Sequence, residues 1–181
     1  FGTMCKPFHA GKAAMNGLLA ALLAEKGFTS SPDMLEGAKG FSKVFSTRMD
    51  PPKALDRLGE DYAIRGVIFK RHASCFETHP AIDAVLALKE EQGLTADQVE
   101  SIQLDAFSVA CDIAGIPTPQ TGLEGKFSLA FCVALALGEG DTGEPQFNDQ
   151  KVRDPRLVAL RDKIKITPDP NLSPSRAKIK V

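Results

Sequence analysis

The sequence predicts an α+β fold, a helical opening segment followed by a mixed unit in which helices pack on one small sheet. Three observations carry this. Residues 9–26 follow a helical period, two later stretches alternate as strands do, and the two kinds of pattern then interleave to the end of the chain. With 181 residues, 43% of them apolar and 25% charged, there is enough material to bury a core. No fixed-period repeat or low-complexity tract points to a solenoid or a disordered segment.

The first element is a helix from about His9 to Lys26, where Leu18/Leu22 and Leu19/Leu23 recur four residues apart and Gly27 stands at the stop position. Its remaining faces are mostly alanine and glycine, so it should be buried between other helices; those helices are missing from this chain, and its apolar surface is expected to be left exposed. Residues 28–60 hold short helical pieces broken by Pro32, Gly37, Gly40 and Pro51-Pro52, which read as connectors. From Tyr62 to Phe69 the apolar alternation predicts a strand. Thr78 offers an N-cap with Pro80 just inside, opening an amphipathic helix to about Gln92 that Gly93 ends. Val99–Phe107 alternates as a second strand. A Gly- and Pro-rich loop (114–122), a largely apolar helix from Glu124 to Leu137 and a short helix opened by Asp154-Pro155 follow, and two strands, Lys165–Thr167 and Arg176–Val181, close the chain. The order from Tyr62 onward is β-α-β-α-α-β-β.

Composition excludes several classes of function. The longest uninterrupted apolar run, Leu129–Leu137, is far short of the roughly 20 residues that cross a bilayer, so no membrane partner is expected. Basic and acidic groups number 11 and 8 over residues 1–80, 2 and 12 over 81–150, and 9 and 3 over 151–181. The strongly acidic middle would repel phosphates, and aromatics do not interleave with Lys and Arg, so nucleic acid is not an expected partner. Cysteines at 5, 75, 111 and 132 form no CxxC pair and suggest reduced thiols and a cytoplasmic setting, with no signal peptide in view. Because the chain opens on Phe1 rather than Met, it is expected to be a piece of a longer polypeptide.

Three clusters can carry chemistry. In Gly2-Thr-Met-Cys-Lys-Pro-Phe-His-Ala-Gly11, Lys6 and His9 lie at the N-terminus of the first helix, where unpaired N–H groups and the helix dipole favour an anion. An exposed lysine and a capping histidine would look the same. The second cluster runs from Phe69 through Lys70, Arg71, His72 and Cys75 to His79, at a junction of strand and helix. Lys70 and Arg71 could clamp a carboxylate, Cys75 could wall the pocket, and His79 could exchange protons near neutral pH, or be a satisfied first-turn histidine. His72, Cys75 and His79 lack the fourth ligand and tight spacing of a structural zinc site, so no metal is expected. The third cluster, Glu124-Gly-Lys126-Phe-Ser-Leu129, opens an apolar helix; Lys126 is its one unexplained charge. No phosphate-cradling glycine loop and no serine-hydrolase elbow is present.

At these residues the chain resembles the MmgE/PrpD family, whose members include 2-methylcitrate dehydratase, cis-aconitate decarboxylase and iminodisuccinate epimerase. The likeness runs through Gly2–Ala14, Leu35-Glu-Gly37, Gly40-Phe41, Phe69-Lys70, Cys75, Thr78-His79-Pro-Ala-Ile-Asp83, Lys126-Phe-Ser-Leu129 and Asp154-Pro155, and the order and spacing of these motifs are specific. The resemblance implies that residues 1–58 end an all-helical domain and 59–181 form most of an α+β lid domain, with the active site between the two.

It also implies a metal- and cofactor-independent lyase acting on a small polycarboxylate, with 2-methylcitrate dehydratase-like loss of water favoured over decarboxylation or epimerisation. A non-catalytic small-acid binding or structural domain of the same fold is the alternative. By motif, Lys6, His9 and His79 take catalytic roles, and Lys70, Arg71, Cys75, Cys111 and Lys126 hold substrate. Some relatives carry histidine in place of Cys75 and an aromatic near Cys111, which argues against decarboxylation. Groups from the earlier helical segment are absent, so the chain should be inactive alone; the full-length protein is expected to be a homo-oligomer, a dimer.

Overall fold

The computed structural model describes residues 1–48 and 50–181. They divide into two compact units, one of Pro7–Phe69 and one that joins Phe1–Lys6 to Lys70–Val181. The fold class is α+β, as the sequence predicts.

The Pro7–Phe69 unit is wholly helical. Helix α1 (Cys5–Glu25) forms where straight-chain and small residues dominate, and it starts four residues before the predicted N-terminus. As expected for a helix whose covering neighbours are missing, every one of its residues is exposed, Leu18 to 65% and Leu19 to 51%. Among the described residues the unit has two one-turn α-helices besides, α2 (Phe41–Phe45) and α3 (Pro51–Leu55), too little apolar surface to cover a helix of 21 residues. Asp50 caps α3 by accepting from the Lys53 N–H at 3.2 Å. The strand predicted over Tyr62–Phe69 is also not formed. A 3₁₀ turn at Ala63–Gly66 takes its place, and Ile64, Val67, Ile68 and Phe69 are exposed to between 64% and 98%. Alternation marks a strand only when one face has something to pack against and an edge to pair with; here the segment has neither.

In the other unit, α4 (His79–Gln92) buries Ala81, Ile82 and Val85 and stops at Gly93, whose φ of 62° is readily adopted only by a residue without Cβ. Thr78 precedes α4 as expected but does not cap it: its hydroxyl donates backwards, to the Cys75 carbonyl at 2.8 Å. Strand β1 (Ile102–Phe107) begins three residues later than predicted, because Thr95 and Gln98 form a capping box that keeps Ala96–Gln98 in a 3₁₀ turn. Ile102, Leu104 and Ala106 point into the core and the residues between them are half-buried.

Helix α5 (Ser108–Ile113), which the sequence analysis did not anticipate, follows directly. The single helix predicted over Glu124–Leu137 is two, α6 (Gly122–Gly125) and α7 (Leu129–Glu139). Thr121 caps the first through the Glu124 N–H and Ser128 caps the second through the Phe131 N–H, so the chain turns between them. Two further helices, α8 (Asp149–Val152) and α9 (Pro155–Arg161), start on Asn148 and Asp154 caps.

Strand β2 (Ile164–Asp169) then pairs parallel to β1, and β3 (Ala177–Lys180) pairs antiparallel to it on the other side, giving the order β2-β1-β3. At the centre lies α7, buried at every position from Leu129 to Leu137, with α4 and α9 packed on it. A helix apolar on all sides is stable only inside a core. Removing three carbons from its middle should therefore be costly: Leu135→Ala is expected to lower unfolding free energy by about 2–5 kcal/mol in a urea titration, whereas Leu18→Ala on α1 should cost far less.

Candidate functional site

The site is built on residues 70–79, which carry little regular structure and are held instead by hydrogen bonds. The Lys70 ammonium donates to the Ser74 carbonyl at 2.9 Å, and the Ser74 and Thr78 hydroxyls lie 2.7 Å apart. The Ala73 N–H donates to Thr142 O at 3.0 Å and the Cys75 N–H to Lys126 O at 2.9 Å. These two bonds fasten the loop to the α6–α7 turn and to the segment after α7. Held in this way, the loop presents His79 as the first residue of α4.

His79 is 7% exposed, and its Nε2 is buried with no hydrogen-bond partner. A buried, unsatisfied ring nitrogen costs free energy unless something binds there. Glu77 Oε2 is orphaned in the same way, two residues earlier. Burial pulls the His79 imidazole below its ordinary pKa of 6.5, the neighbouring His72 and the Lys70 ammonium push in the same direction, and Asp83 and a hydrogen bond to the His72 backbone partly oppose them. The ring is thus held in its neutral form, able to take up a proton.

His72 is 4% exposed and meets His79 edge to face, their centroids 5.0 Å apart. Its Nε2 lies 3.2 Å from Asp83 Oδ1 and its Nδ1 contacts the Thr142 hydroxyl. With both nitrogens engaged, it is no free ligand; among the described residues no group of three or more His, Cys, Asp or Glu is arranged to hold a metal ion.

The remaining predicted residues are placed as follows. Cys75 is buried in the loop and Arg71 is ion-paired with Asp83 at 3.1 Å, its side chain 76% exposed. Lys126 is held between both carboxylate oxygens of Glu144, at 2.8 and 2.6 Å, and lies over the Phe147 ring. The Lys6 ammonium sits over Phe1 and Phe127, 5.0 and 5.1 Å from their centroids, so it stands beside the Lys126 turn.

Gly2 makes this seat possible. Its φ is +71°, and a Cβ there would lie 2.9 Å from Ile116 Cδ1. Cys111 lies half-buried on α5, which packs beside the Phe76–Thr78 turn, and burial together with Asp112 pushes its thiol pKa up. Lys6, Lys70, Cys75, Lys126 and His79 therefore belong to one connected neighbourhood. His9 lies in the Pro7–Phe69 unit. Cavities of about 830, 540 and 310 Å³ lie elsewhere, the largest between Leu88, Gln103 and Val181, and none is lined by a predicted site residue.

Sequence reasoning missed Thr142, Asp83 and Ser74. Asp83 had a signal, since it lies one helical turn beyond His79 and so on the same face; Thr142, far away in sequence, had none.

Comparison with known families matches residues 2–53 to the MmgE/PrpD N-terminal domain and residues 72–180 to the MmgE/PrpD C-terminal domain. The chain belongs to the MmgE/PrpD family. Cis-aconitate decarboxylase of Mus musculus is 28% identical over 182 residues, which is 96% of this chain and 36% of the relative. The Homo sapiens protein of the same name is 26% identical over 181 residues, 96% and 37% of the two chains. The mitochondrial 2-methylcitrate dehydratase of Yarrowia lipolytica is 26% identical over 174 residues, 93% and 33%. The chain spans about a third of the length of these MmgE/PrpD relatives. No helix among the described residues is long and apolar enough to cross a membrane.

Two outcomes follow for this MmgE/PrpD chain. Because the folded state keeps His79 neutral while the unfolded chain protonates at about 6.5, stability should be intact above that pH and fall as the pH drops through the folded value. His79→Gln should flatten that slope in urea melts between pH 7 and 5. The thiols should also separate in reactivity. Cys132, fully buried, has its pKa pushed up to about 12, so iodoacetamide mapped by peptide mass should label exposed Cys5 first and Cys132 only after unfolding.

Proposed function

We propose that this chain is part of a lyase acting on a small polycarboxylate, and that the reaction is elimination of water of the 2-methylcitrate dehydratase type. The observation that carries the reading is the neutral, buried imidazole of His79 with an unpartnered Nε2, set beside the Lys70 ammonium.

In such an elimination a base removes a proton from the carbon next to a carboxylate. The electron pair of that C–H bond becomes the new C=C bond, the C–O bond breaks, and hydroxide leaves with a proton as water. A neutral imidazole suits the first step. Negative charge gathers on the carboxylate as the C–H bond breaks, and the ammonium groups of Lys70 and Lys6 would offset it. The ammonium of Lys126 is already matched by Glu144, so a substrate carboxylate must compete for it. His9 keeps a proposed role from the helical side, and the division at residues 58/59 is proposed with it.

Decarboxylation of cis-aconitate is the second reading, favoured by the relatives of that name at 28% and 26% identity. It ends by delivering a proton to carbon, for which a histidine held neutral is the poorer donor.

The test uses the full-length protein that contains this chain, assayed with 2-methylcitrate and with cis-aconitate. Loss of water from 2-methylcitrate is expected, with Lys70→Ala lowering kcat/KM by about 3 kcal/mol, on the order of 100-fold, and His79→Ala by at least as much. Unchanged turnover in both variants would sink the site; release of carbon dioxide from cis-aconitate alone would favour the second reading.

A further inference from the structure

Buried titratable side chains are rarely left without a purpose or a partner, and His72 is a buried histidine that the proposed elimination does not use. Its two nitrogens are bound by groups of different kinds. Asp83 Oδ1, as a carboxylate, can only accept, so the Nε2 at 3.2 Å carries the hydrogen. In the neutral ring Nδ1 is then the acceptor, and the Thr142 hydroxyl donates to it. Thr142 is 5% exposed and its backbone carbonyl accepts from Ala73, so both ends of the residue are tied to the loop. One tautomer of His72 and one ring plane are selected. That plane stands at 75° to the His79 ring, with Phe76 closing the same imidazole at 5.2 Å. The His79 imidazole is thus flanked by both rings.

We propose that His72 is a positioning residue for His79: a Thr142–His72–Asp83 hydrogen-bond chain locks its tautomer and orientation, and the locked ring holds His79 in the orientation that leaves its buried Nε2 unpartnered. The inference rests on the reading of His79 as the proton carrier. Asp83 anchors the chain from one turn further along α4, and Arg71 in turn holds Asp83. The other titratable groups around His79 are Lys70, Cys75 and Glu77 in its own loop and Cys132 of α7, which contacts Ser74 and Thr78 from behind. Lys70 and His72 disfavour a second positive charge on His79, and Asp83 favours it.

The chain contains three histidines, so their ring signals can be followed individually by long-range ¹H–¹⁵N NMR on the 181-residue protein. In the unaltered chain the neutral His72 ring should show the Nε2–H tautomer. Thr142→Val removes a donor that touches His72 and not His79. It should shift His72 toward a mixture of tautomers and broaden or move the His79 ring signals.

His72→Phe keeps an aromatic ring but no charge, and should raise the His79 midpoint by about half a pH unit or more; Asp83→Asn should lower it. His79 signals and midpoint unchanged in folded Thr142→Val and Asp83→Asn variants would overturn the proposal, even if His72→Phe fails to fold. In the full-length protein Thr142→Val should lower kcat several-fold with little change in KM. If the NMR shifts appear but His79→Ala leaves turnover intact, the positioning stands and the lyase reading falls; if turnover depends on His79 but the NMR signals do not move, the reverse holds.

Discussion

One constraint governs the second unit: nine consecutive residues of α7 are buried, so every side of that helix needs a cover. The covers are α4, α9 and the face of β1 that carries Ile102 and Leu104. Once they are in place, the turn before α7 and the segment after it have fixed positions, and both are used. Lys126 O, before α7, accepts from the Cys75 N–H, and Thr142, after it, accepts the Ala73 N–H on its carbonyl and donates its hydroxyl to His72 Nδ1. The loop that presents His79 has almost no regular structure of its own and takes its shape from the two ends of the buried helix. Packing at the centre and chemistry at the rim are thus one argument, since what immobilises α7 also aims the imidazole.

The polar groups of the site fall into satisfied and unsatisfied sets. Ser74, Thr78, His72 and Lys70 all have partners within the loop or across it. His79 Nε2 and Glu77 Oε2 do not. Folding that leaves two polar atoms buried and unpaired sacrifices stability at that spot, and such a sacrifice is commonly found where a ligand supplies the missing partner. The same neighbourhood contains two ammonium groups seated over aromatic faces, Lys6 over Phe1 and Phe127 and Lys126 over Phe147. The aromatic seat of Lys6 holds its cation without neutralising it, whereas Lys126 is also matched by the Glu144 carboxylate.

Much of this was legible in the residues. Gly93 stopping α4, Asp154-Pro155 opening α9, and the alternation of β1 are local signals, and local physics decides them. The misreadings came where distant packing decides. Tyr62–Phe69 alternates like a strand but finds no partner. Helix α5 was missed because Ser108–Ile113 follows a strand without the usual loop, and the break between α6 and α7 was missed because one helix was drawn from Glu124 onward, although Ser128 has the side chain of a cap. For the site, the motifs around Lys6, Lys70, Cys75, Lys126 and His79 pointed to one neighbourhood. The support from Thr142 could not be seen, since no spacing rule links residues 72 and 142.

The sheet order has a further consequence for how the molecule comes to be. Strand β1 is central, yet both of its neighbours are made after five helices have been added to the chain, so Ile102 must wait for Ile164 and Gln103 for Lys180. Pairings so remote in sequence close slowly, because the entropy of the intervening loop is lost before any bond rewards it. On the ribosome β1 therefore emerges as a bare edge on both sides, and the helices around α7 are what can gather first and shelter it until the last residues arrive.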